Sequence, residues 1–455
     1  MYNFIAKHIF APSLDLIRGT NTIPKLRDLE QSQWWPRDKI IELQSQRLRY
    51  LIQYAYSDVP YYRNILDERS LHPDNIKTWK DLHLLPVLTK KLIKNNYENI
   101  VAKNFPIKKR VQISTSGSTG EPLVFYDTIE DHVSISFAAS QRMLSGLGVE
   151  IGDPIVALSV RYQAEPYFSN LTQKIINNFR RKWIIYSRHT LKDEISYYAN
   201  KIELVKPKLL LGCPSAIYQL ARFIQREPKY KIRPKAITTD SEQLYDYQRK
   251  IFREVFDCEV YDCYDTEEQH IIAFQCTECS GYHIAAENTI VEVVDDNNRY
   301  VGEGQKGRIL ITNLNNFAMP FIRYDIGDVG VSTEKSCSCG RGLPLLASLE
   351  GRSTDVIVTK SRGKISGNFL FYPAYPTLAN WGVEQYQIVQ EDYERIVIKI
   401  VPGQEQSKDI TEIRTFMAEA YKKILGEDMK IDIEIVDEIP VNAAGKRRFI
   451  LSNVT

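Results

Sequence analysis

Between residues 110 and 350, short apolar runs alternate with polar segments of helix length, and this alternation limits the fold more than any other feature of the chain. Strands that alternate with helices favour an α/β core with a partly parallel sheet. The stretch 283–331 is richer in β-branched residues, which predicts added strands or a small barrel. The candidate strands of the core are 155–160, 209–212, 235–239 and 260–264.

The C-terminal part of the sequence follows a different pattern. A hairpin is predicted over 355–365 and a pair of strands over 385–401. Apolar residues within 410–425 fall on one face of a helix. Residues 429–435 alternate in polarity as in a half-buried strand. This part is therefore expected to form a compact α+β unit.

The two patterns divide the 455 residues into two predicted domains. Residues 1–351 are expected to form a large domain of mixed β-sheets and helices, with a helical N-terminal part. Residues 352–455 are expected to form a small, mobile α+β domain. The predicted fold class is therefore α/β.

Composition and charge exclude several classes of protein. Hydrophobic residues make up 43% and charged residues 25% of the chain, as in ordinary globular proteins. The formal net charge of +2 gives no reason to expect nucleic acid as a partner, because such proteins usually carry a basic field. No transmembrane segment is expected, since no window approaches roughly 18 consecutive apolar residues. The mixed segment 1–19 is expected to be a helix packed on its own domain, rather than a membrane-surface helix.

The cysteines predict a metal site. There are seven, and an odd number without a signal peptide argues against a disulfide framework and for a cytoplasmic location. Cys276 and Cys279 form one close pair, and Cys337 and Cys339 form another. Spacing alone makes these thiols the ligands of a structural Zn²⁺, and His283 is a further candidate.

The sharpest local signal is the segment STSGSTGEP, residues 114–122. Glycine lets the backbone turn tightly and bring N–H groups close to an anion, and hydroxyls add small neutral donors. A flexible linker is the alternative, but the strand-like segment 123–126 follows directly and favours a phosphate-binding loop. The segment lacks the Gly-Lys-Ser/Thr ending of a Walker loop. The candidate nucleotide-binding residues here are Ser114, Thr115, Ser116, Gly117, Ser118, Thr119 and Gly120.

This segment resembles the phosphate loop of the adenylate-forming superfamily of acyl-CoA synthetases and peptide-synthetase adenylation domains. Other superfamily motifs follow in order: YDTEE at 264–268, RYDIGD at 323–328, GRSTD at 351–355 and NAAGK at 442–446. Within the superfamily the chain is most similar to the phenylacetate–CoA ligase branch with its CapK-like members. The segments typical of that branch are YAYSDVPYY at 54–62, AMPFIRY at 318–324 and CSCGR at 337–341.

The resemblance implies an enzyme that uses ATP to convert a carboxylic acid to an acyl-adenylate with release of pyrophosphate. The acyl group would then pass to the thiol of coenzyme A. One alternative is transfer to an amine, by an amide ligase in surface-polysaccharide or metabolite biosynthesis. Another is a degenerate nucleotide-binding scaffold, which Glu121 would suit because many relatives have lysine there. The sequence leaves open the acid, the acceptor and the oligomeric state, a homodimer included.

The resemblance also assigns roles in the chemistry. Lys446 would bridge the carboxylate and the α-phosphate oxygens, where charge builds up. Mg²⁺ would accompany the triphosphate on an acidic residue. Alignment without a gap assigns this carboxylate to Glu268, and one deletion assigns it to Glu267 with Thr266 before it. We favour Glu268.

Further residues are assigned by their position in the motifs. Asp328 would bind the ribose hydroxyls, Arg352 would add a second ribose or phosphate contact, and Tyr264 would offer a face to adenine. Asp355 would be the hinge between adenylation and transfer poses of the small domain. The other nucleotide-binding candidates are Ser241, Glu242 and Asp265.

In the phenylacetate–CoA ligase branch the metal pattern is Cys-x6-His followed by Cys-x-Cys. This pattern selects Cys276, His283, Cys337 and Cys339 as zinc ligands. Cys279 stays open as the alternative to His283.

Overall fold

The structure, a computed structural model, describes residues 1–115, 123–159, 170–186, 192–278, 281–352, 356–360, 363–366, 377–378, 381–403, 408–440 and 449–454. The chain divides into two compact units. The first comprises residues 1–115, 123–326 and 330–348. The second comprises residues 327–329 and the described residues from 349 onward. The predicted division into domains after residue 351 stays a prediction.

The N-terminal part of the first unit is helical, as predicted. Its longest helix, Arg37–Asp58, buries Ile40, Leu48 and Ile52 on one side, and Pro60 follows its end. Proline lacks the N–H that would continue the helix, so the next helix starts afresh at Pro60. The α-helices here are α1 (Tyr2–Ile5), α2 (Ala11–Arg18), α3 (Thr22–Ser32), α4 (Arg37–Asp58), α5 (Pro60–Glu68), α6 (Lys90–Asn95) and α7 (Tyr97–Ile100), with a π-helical segment at Ala6–Phe10.

The α/β core follows. Its helices are α8 (Ser136–Gly146), α9 (Asn170–Phe179), α10 (Lys192–Val205), α11 (Pro214–Arg226) and α12 (Asp246–Phe256), with a π-helical segment at Glu130–Ile135. Among the described residues, no helix of the chain is long and apolar enough to cross a bilayer.

The strands of this unit are β1 (Arg110–Ser114), β2 (Val124–Thr128), β3 (Ile155–Ser159), β4 (Lys182–Tyr186), β5 (Leu209–Gly212), β6 (Ala236–Thr239), β7 (Glu259–Thr266), β8 (His270–Phe274), β9 (Tyr282–Ile284), β10 (Thr289–Val294), β11 (Lys306–Asn313), β12 (Tyr324–Thr333) and β13 (Leu345–Arg352). Strands β1 and β2 pair with each other, and the rest form one sheet of order β10-β11-β12-β13-β9-β8-β7-β6-β5-β3-β4.

Half of the large sheet is parallel. Strands β3 to β7 pair in parallel, and helices connect them. The apolar faces of α11 and α12 pack with these strands in a core that includes Val156, Ile217, Ile237, Phe252 and Val260. The strands predicted at 155–160, 209–212, 235–239 and 260–264 are thereby confirmed.

The other half of the sheet decides between the two structures expected for residues 283–331. Added strands are confirmed and a small barrel is not, because these strands continue the large open sheet, whose edges are β10 and β4. The pairs β7–β8, β8–β9, β13–β9 and β10–β11 are antiparallel. Backbone pairing with β7 extends the existing sheet, so these β-branched residues need no separate closed layer.

The second unit is α+β, as predicted. It has a hairpin of β14 (Val356–Thr359) and β15 (Gly363–Ser366), and a sheet of order β18-β17-β16-β19. Helix α13 (Ile410–Leu425) buries Ile413, Met417, Tyr421 and Leu425, which lie four residues apart on one face. The strands of this sheet are β16 (Val383–Asp392), β17 (Arg395–Pro402), β18 (Lys430–Ile435) and β19 (Ile450–Ser452).

Candidate active site

The predicted phosphate loop lies in the chain between β1 and β2, which pair as a hairpin. The Thr115 N–H donates to the Leu123 carbonyl at 2.8 Å, and the Leu123 N–H donates to the Thr115 hydroxyl oxygen at 2.9 Å. Thr115 therefore closes the base of the loop, while Ser114 is exposed at the end of β1. Ser116, Gly117, Ser118, Thr119 and Gly120 lie outside the described residues.

The predicted acidic motif spans the turn between β7 and β8. The pairing of these strands shifts register between Tyr264 and Asp265, which marks a bulge. Tyr264 is buried, and the Thr266 hydroxyl is buried without a hydrogen-bond partner among the described residues. Bulges re-aim side chains beside functional sites, and a buried hydroxyl without a partner is costly unless a ligand satisfies it.

The two glutamates of the turn differ in their surroundings. Glu268 is buried, and its Oε1 accepts a hydrogen bond from the Tyr324 hydroxyl at 3.1 Å. Its carbonyl accepts from Nδ2 of Asn313 at 3.2 Å. Glu267 is half-buried. The structure thus brings together the YDTEE and RYDIGD motifs through a carboxylate with a fixed orientation.

A buried charge cluster, which the sequence analysis did not identify, supports this turn. His270 starts β8 in the left-handed region at φ 59°, and its Nε2 lies 3.1 Å from Oδ2 of Asp127 at the end of β2. Asp131 is buried beside this pair, and its Oδ2 accepts from the same Asn313 amide at 2.9 Å. No spacing rule predicts this contact, because Asp127 and His270 lie 143 residues apart in the chain.

Burial and the charges within the cluster shift the pKa values of His270 and Asp131. Burial alone would lower the pKa of His270, but its hydrogen bond to Asp127 and the charges of Asp131 and Asp127 outweigh burial and raise that pKa to about 9. Burial, and then the charge of Asp127, raises the pKa of Asp131 to about 7. The ligand atoms of Asp127, His132 and His270 lie within 4.8 Å of one another, so this trio could also hold a cation. The Asp127–His270 ion pair explains the arrangement without one.

Two predicted nucleotide-binding residues follow β6. Ser241 has a left-handed backbone at φ 65°. The Glu242 side chain accepts a hydrogen bond at 3.1 Å from the N–H of Ser215, in the first turn of α11. A carboxylate there is favoured because the N-terminus of a helix carries partial positive charge. Glu242 thus positions the β6–α12 connection against α11.

The remaining predicted residues lie elsewhere in the chain. Asp265 follows the bulge on β7, Asp328 follows Gly327 within β12, and Arg352 is the last residue of β13. Asp355 and Lys446 lie outside the described residues.

The predicted zinc ligands come together. Cys276 follows β8, His283 lies on β9, and Cys337 and Cys339 belong to the connection from β12 to β13. The sulphurs of Cys276 and Cys337 are 3.6 Å apart, and the Cys339 sulphur is 3.3 Å from Nε2 of His283. All four ligand atoms lie within 4.8 Å of one another. Tetrahedral Zn²⁺ would hold two sulphurs about 3.8 Å apart, so the donor set fits this metal. Cys279 lies outside the described residues.

The surroundings of His283 favour metal binding. Burial, and then the charges of Arg341 and Arg142, lower the pKa of His283 to about 4. The imidazole is therefore neutral near pH 7, as a metal ligand must be. Arg142 is itself fully buried, with Nη1 at 2.8 and 2.9 Å from the two carboxylate oxygens of Glu287.

Comparison with known proteins agrees with the motifs. The model of the CapK C-terminal domain matches residues 357–453. Protein CapK of Staphylococcus aureus is 25% identical over 422 residues, which cover 91% of this chain and 90% of the relative. Phenylacetate-coenzyme A ligase of Thermus thermophilus is 24% identical over 435 residues, which cover 88% and 86%.

A solved structure has the same fold. It is 2-hydroxyisobutyryl-CoA ligase in the postadenylation state, in complex with R3-HIB-AMP. The TM-score is 0.75 at 20% identity, with 93% of this chain and 91% of that chain covered. The chain is thus a homologue of CapK and the phenylacetate–CoA ligases, has the fold of the adenylate-forming acyl-CoA ligases, and carries a CapK-type C-terminal domain.

Proposed function

We propose that the protein is an AMP-forming ligase that activates a carboxylic acid as its acyl-adenylate and transfers the acyl group to coenzyme A. The observation that carries this proposal is the β7–β8 turn. There Tyr324 orients the buried carboxylate of Glu268, and the Thr266 hydroxyl is buried without a partner among the described residues. Preorganised donors and charges of this kind are the main catalytic resource for phosphoryl transfer.

The role proposed for each residue follows from its position in the motifs. The loop from Ser114 to Gly120 presents N–H and hydroxyl donors to the phosphates of ATP. Asp328 and Arg352 bind the ribose, and Tyr264 lies against adenine. Lys446 neutralises the charge that develops as the carboxylate oxygen attacks the α-phosphorus and pyrophosphate leaves. Asp355 is the hinge that lets the small domain serve the second step.

Mg²⁺ fits the acidic turn. Carboxylate oxygens are the ligands that Mg²⁺ prefers, and the bound ion partly neutralises the triphosphate. Glu268 is the proposed ligand, because its carboxylate is buried at this turn and its Oε1 accepts a hydrogen bond from Tyr324, which orients it. Glu267 is the alternative, with the greater exposure of the two.

The test is acid-dependent exchange of labelled pyrophosphate into ATP over a broad panel of carboxylic acids. Exchange with one acid would establish adenylation and name the substrate. Adding coenzyme A would then yield the acyl thioester of that acid. If ATP binding and exchange are both absent, the proposal fails.

An amine acceptor is the second candidate. It is kept because the resemblance to CapK-like members implies an amine as the alternative acceptor, and residues 357–453 match the CapK C-terminal domain. Mass spectrometry of the reaction with coenzyme A, and separately with amino sugars and amino acids, distinguishes a thioester from an amide.

Zn²⁺ is the proposed occupant of the cluster of Cys276, His283, Cys337 and Cys339. All positions of a tetrahedral ion would be filled by protein, so zinc would staple the β8–β9 turn to the β12–β13 connection and take no part in catalysis. We expect purified protein to carry about one zinc per chain. Metal analysis of protein never exposed to chelator is the measurement.

Substitution identifies the ligands. Cys337→Ser should lower the zinc content and the midpoint of thermal unfolding, because it removes a ligand. Cys258→Ser is the matched control, since Cys258 is a cysteine outside the cluster. Protein without zinc, or a zinc content that Cys337→Ser leaves unchanged, would reject this site.

A further inference from the structure

The N-terminal helical segment has one face packed on the protein and one face of exposed apolar side chains. Helical conformation runs from Tyr2 to Arg18, through α1, the π-helical segment and α2. It ends at Gly19, which adopts the left-handed conformation at φ 64°. At about 1.5 Å per residue the segment is about 25 Å long.

The inner face is fixed to the first unit. The Asn3 side chain donates to Asp153 at 2.8 Å, and the Tyr2 hydroxyl donates to the carbonyl of Phe179 at 2.7 Å. The rings of Phe10 and Phe179 stack at 4.2 Å. These contacts set which face of the segment points outward.

The outer face carries large apolar side chains along the segment, with His8 and Ser13 exposed among them. Leu16 is 86% exposed, Ile17 81% and Phe4 64%. A protein surface rarely leaves such a row of large apolar side chains uncovered unless it binds something. This N-terminal stripe consists of Met1, Phe4, Ile5, Ile9, Leu16 and Ile17.

The surface around the stripe carries several cations, of which Lys7 pairs with Glu150 at 3.6 Å and Lys25 with Glu130 at 4.0 Å. Residues 1–27 contain Lys7, Arg18, Lys25 and Arg27, and a single acidic residue, Asp15. Asp15 is buried, where its carboxylate accepts hydrogen bonds from Thr20 at 2.7 Å and from the N–H of Ile23 at 2.9 Å. Its charge is therefore turned inward.

The neighbouring segment adds more positive charge and further apolar surface. Arg181 lies over the ring of Tyr2, with its guanidinium carbon 5.4 Å from the ring centroid. Arg180 precedes it, and Phe179 and Ile175 of α9 are partly exposed.

We propose that this face binds the surface of an anionic lipid bilayer, with the N-terminal stripe in the interface and the cations among the headgroups. Amphipathic helices with apolar residues on one side and lysine or arginine beside them bind membranes in this way, lying in the plane without crossing it. A second copy of the chain suits the face less well, because a two-fold contact would bring these cations against their own copies. The stripe takes no part in the ligase chemistry.

The test is cosedimentation of the full chain with vesicles of phosphatidylcholine alone and of phosphatidylcholine mixed with phosphatidylglycerol. Wild type should bind the mixed vesicles, bind the neutral ones at least about tenfold more weakly, and dissociate as salt is raised. Leu16→Ser with Ile17→Ser should weaken binding to the mixed vesicles by about tenfold or more. Both side chains are exposed, so the variant should unfold at the wild-type temperature.

Leu204→Ser is the matched control, because Leu204 is 83% exposed on α10, outside the stripe. It should bind like wild type. Absence of binding to the mixed vesicles, equal binding to both vesicle types, or unchanged binding by the Leu16/Ile17 variant would each overturn the proposal. Analytical ultracentrifugation of the protein alone provides a further check. If the protein self-associates and the Leu16/Ile17 variant does not, the face binds a second copy of the chain, and the proposal of membrane binding is overturned.

Discussion

Charged side chains of the first unit form ion pairs. How much stability is lost when one partner is removed depends on how deeply the pair is buried. Arg142 and Glu287 are both buried with bonds of 2.8 and 2.9 Å, whereas Arg253 and Glu259 form an exposed pair at 2.5 Å. Removing one partner of a buried pair leaves an uncompensated charge away from water. An exposed partner is simply hydrated.

We therefore expect Arg142→Ala to lower the free energy of unfolding by about 3–5 kcal/mol. Arg253→Ala should change it by less than about 1 kcal/mol. Denaturant unfolding of the two variants is the comparison. Equal effects would contradict the ranking of these pairs by burial.

The Asp127–His270 pair predicts how stability depends on pH. The pKa of His270 is raised from 6.5 to about 9, so its contribution is full below about pH 6.5 and is lost as pH rises through 9. The pKa of Asp131 is raised from 3.8 to about 7, so its ionisation opposes folding over that interval. Both effects make stability fall as pH rises.

Wild type should accordingly lose up to about 4 kcal/mol of unfolding free energy from this cluster between pH 6 and pH 9, about 3 from His270 and about 1 from Asp131. Asp127→Asn removes the charge that raises both pKa values, so its stability should change less over the same interval. Denaturant unfolding at the two pH values measures both. A steeper fall in the variant would contradict the assigned ion pair.

A side-chain hydrogen bond between Tyr324 and Glu268 joins β12 to the β7–β8 turn. The two residues lie 56 positions apart, in motifs that the sequence places in separate segments. Loss of this bond would weaken the orientation of the Glu268 carboxylate, while the buried Tyr324 ring would keep its packing.

Tyr324→Phe should therefore raise the Mg²⁺ concentration at half-maximal adenylation by about fivefold. This factor corresponds to the loss of a hydrogen bond that contributes roughly 1 kcal/mol to the orientation of the Glu268 carboxylate. Tyr62→Phe is the matched control, because this buried hydroxyl donates to the Pro320 carbonyl at 2.8 Å. It should lower stability and leave the Mg²⁺ requirement unchanged. A similar Mg²⁺ requirement in both variants would exclude the positioning role of Tyr324.

Local periodicity was enough to predict the elements themselves. Parallel strands such as β3 and β5 are short apolar runs, and α13 repeats its buried residues every four positions, so both can be seen in short windows. For residues 283–331 the composition left added strands and a small barrel open, because β-branched residues do not specify which neighbour a strand pairs with. Long-range pairing with β8 and β13 decided that, and no local pattern carries it.

Motif order predicted the fold, and the four residues that it selected as zinc ligands lie together, while zinc itself stays a prediction. The four ligands come together because pairs with Cys-x6-His and Cys-x-Cys spacing sit on adjoining connections of one sheet. Asp127 lies beside His270 only after the β1–β2 hairpin has folded against the large sheet. Such a contact has no signature in a single sequence.

In the proposed reaction this chain joins a carboxylate to AMP, and Lys446 provides the charge that the reaction needs. Pyrophosphate–ATP exchange with wild type, Lys446→Ala and Lys422→Ala tests both statements together, since Lys422 is an exposed lysine of α13 in the same unit. We expect acid-dependent exchange in wild type and Lys422→Ala, and none in Lys446→Ala, with all three folded. Undiminished exchange in Lys446→Ala would contradict the role proposed for Lys446.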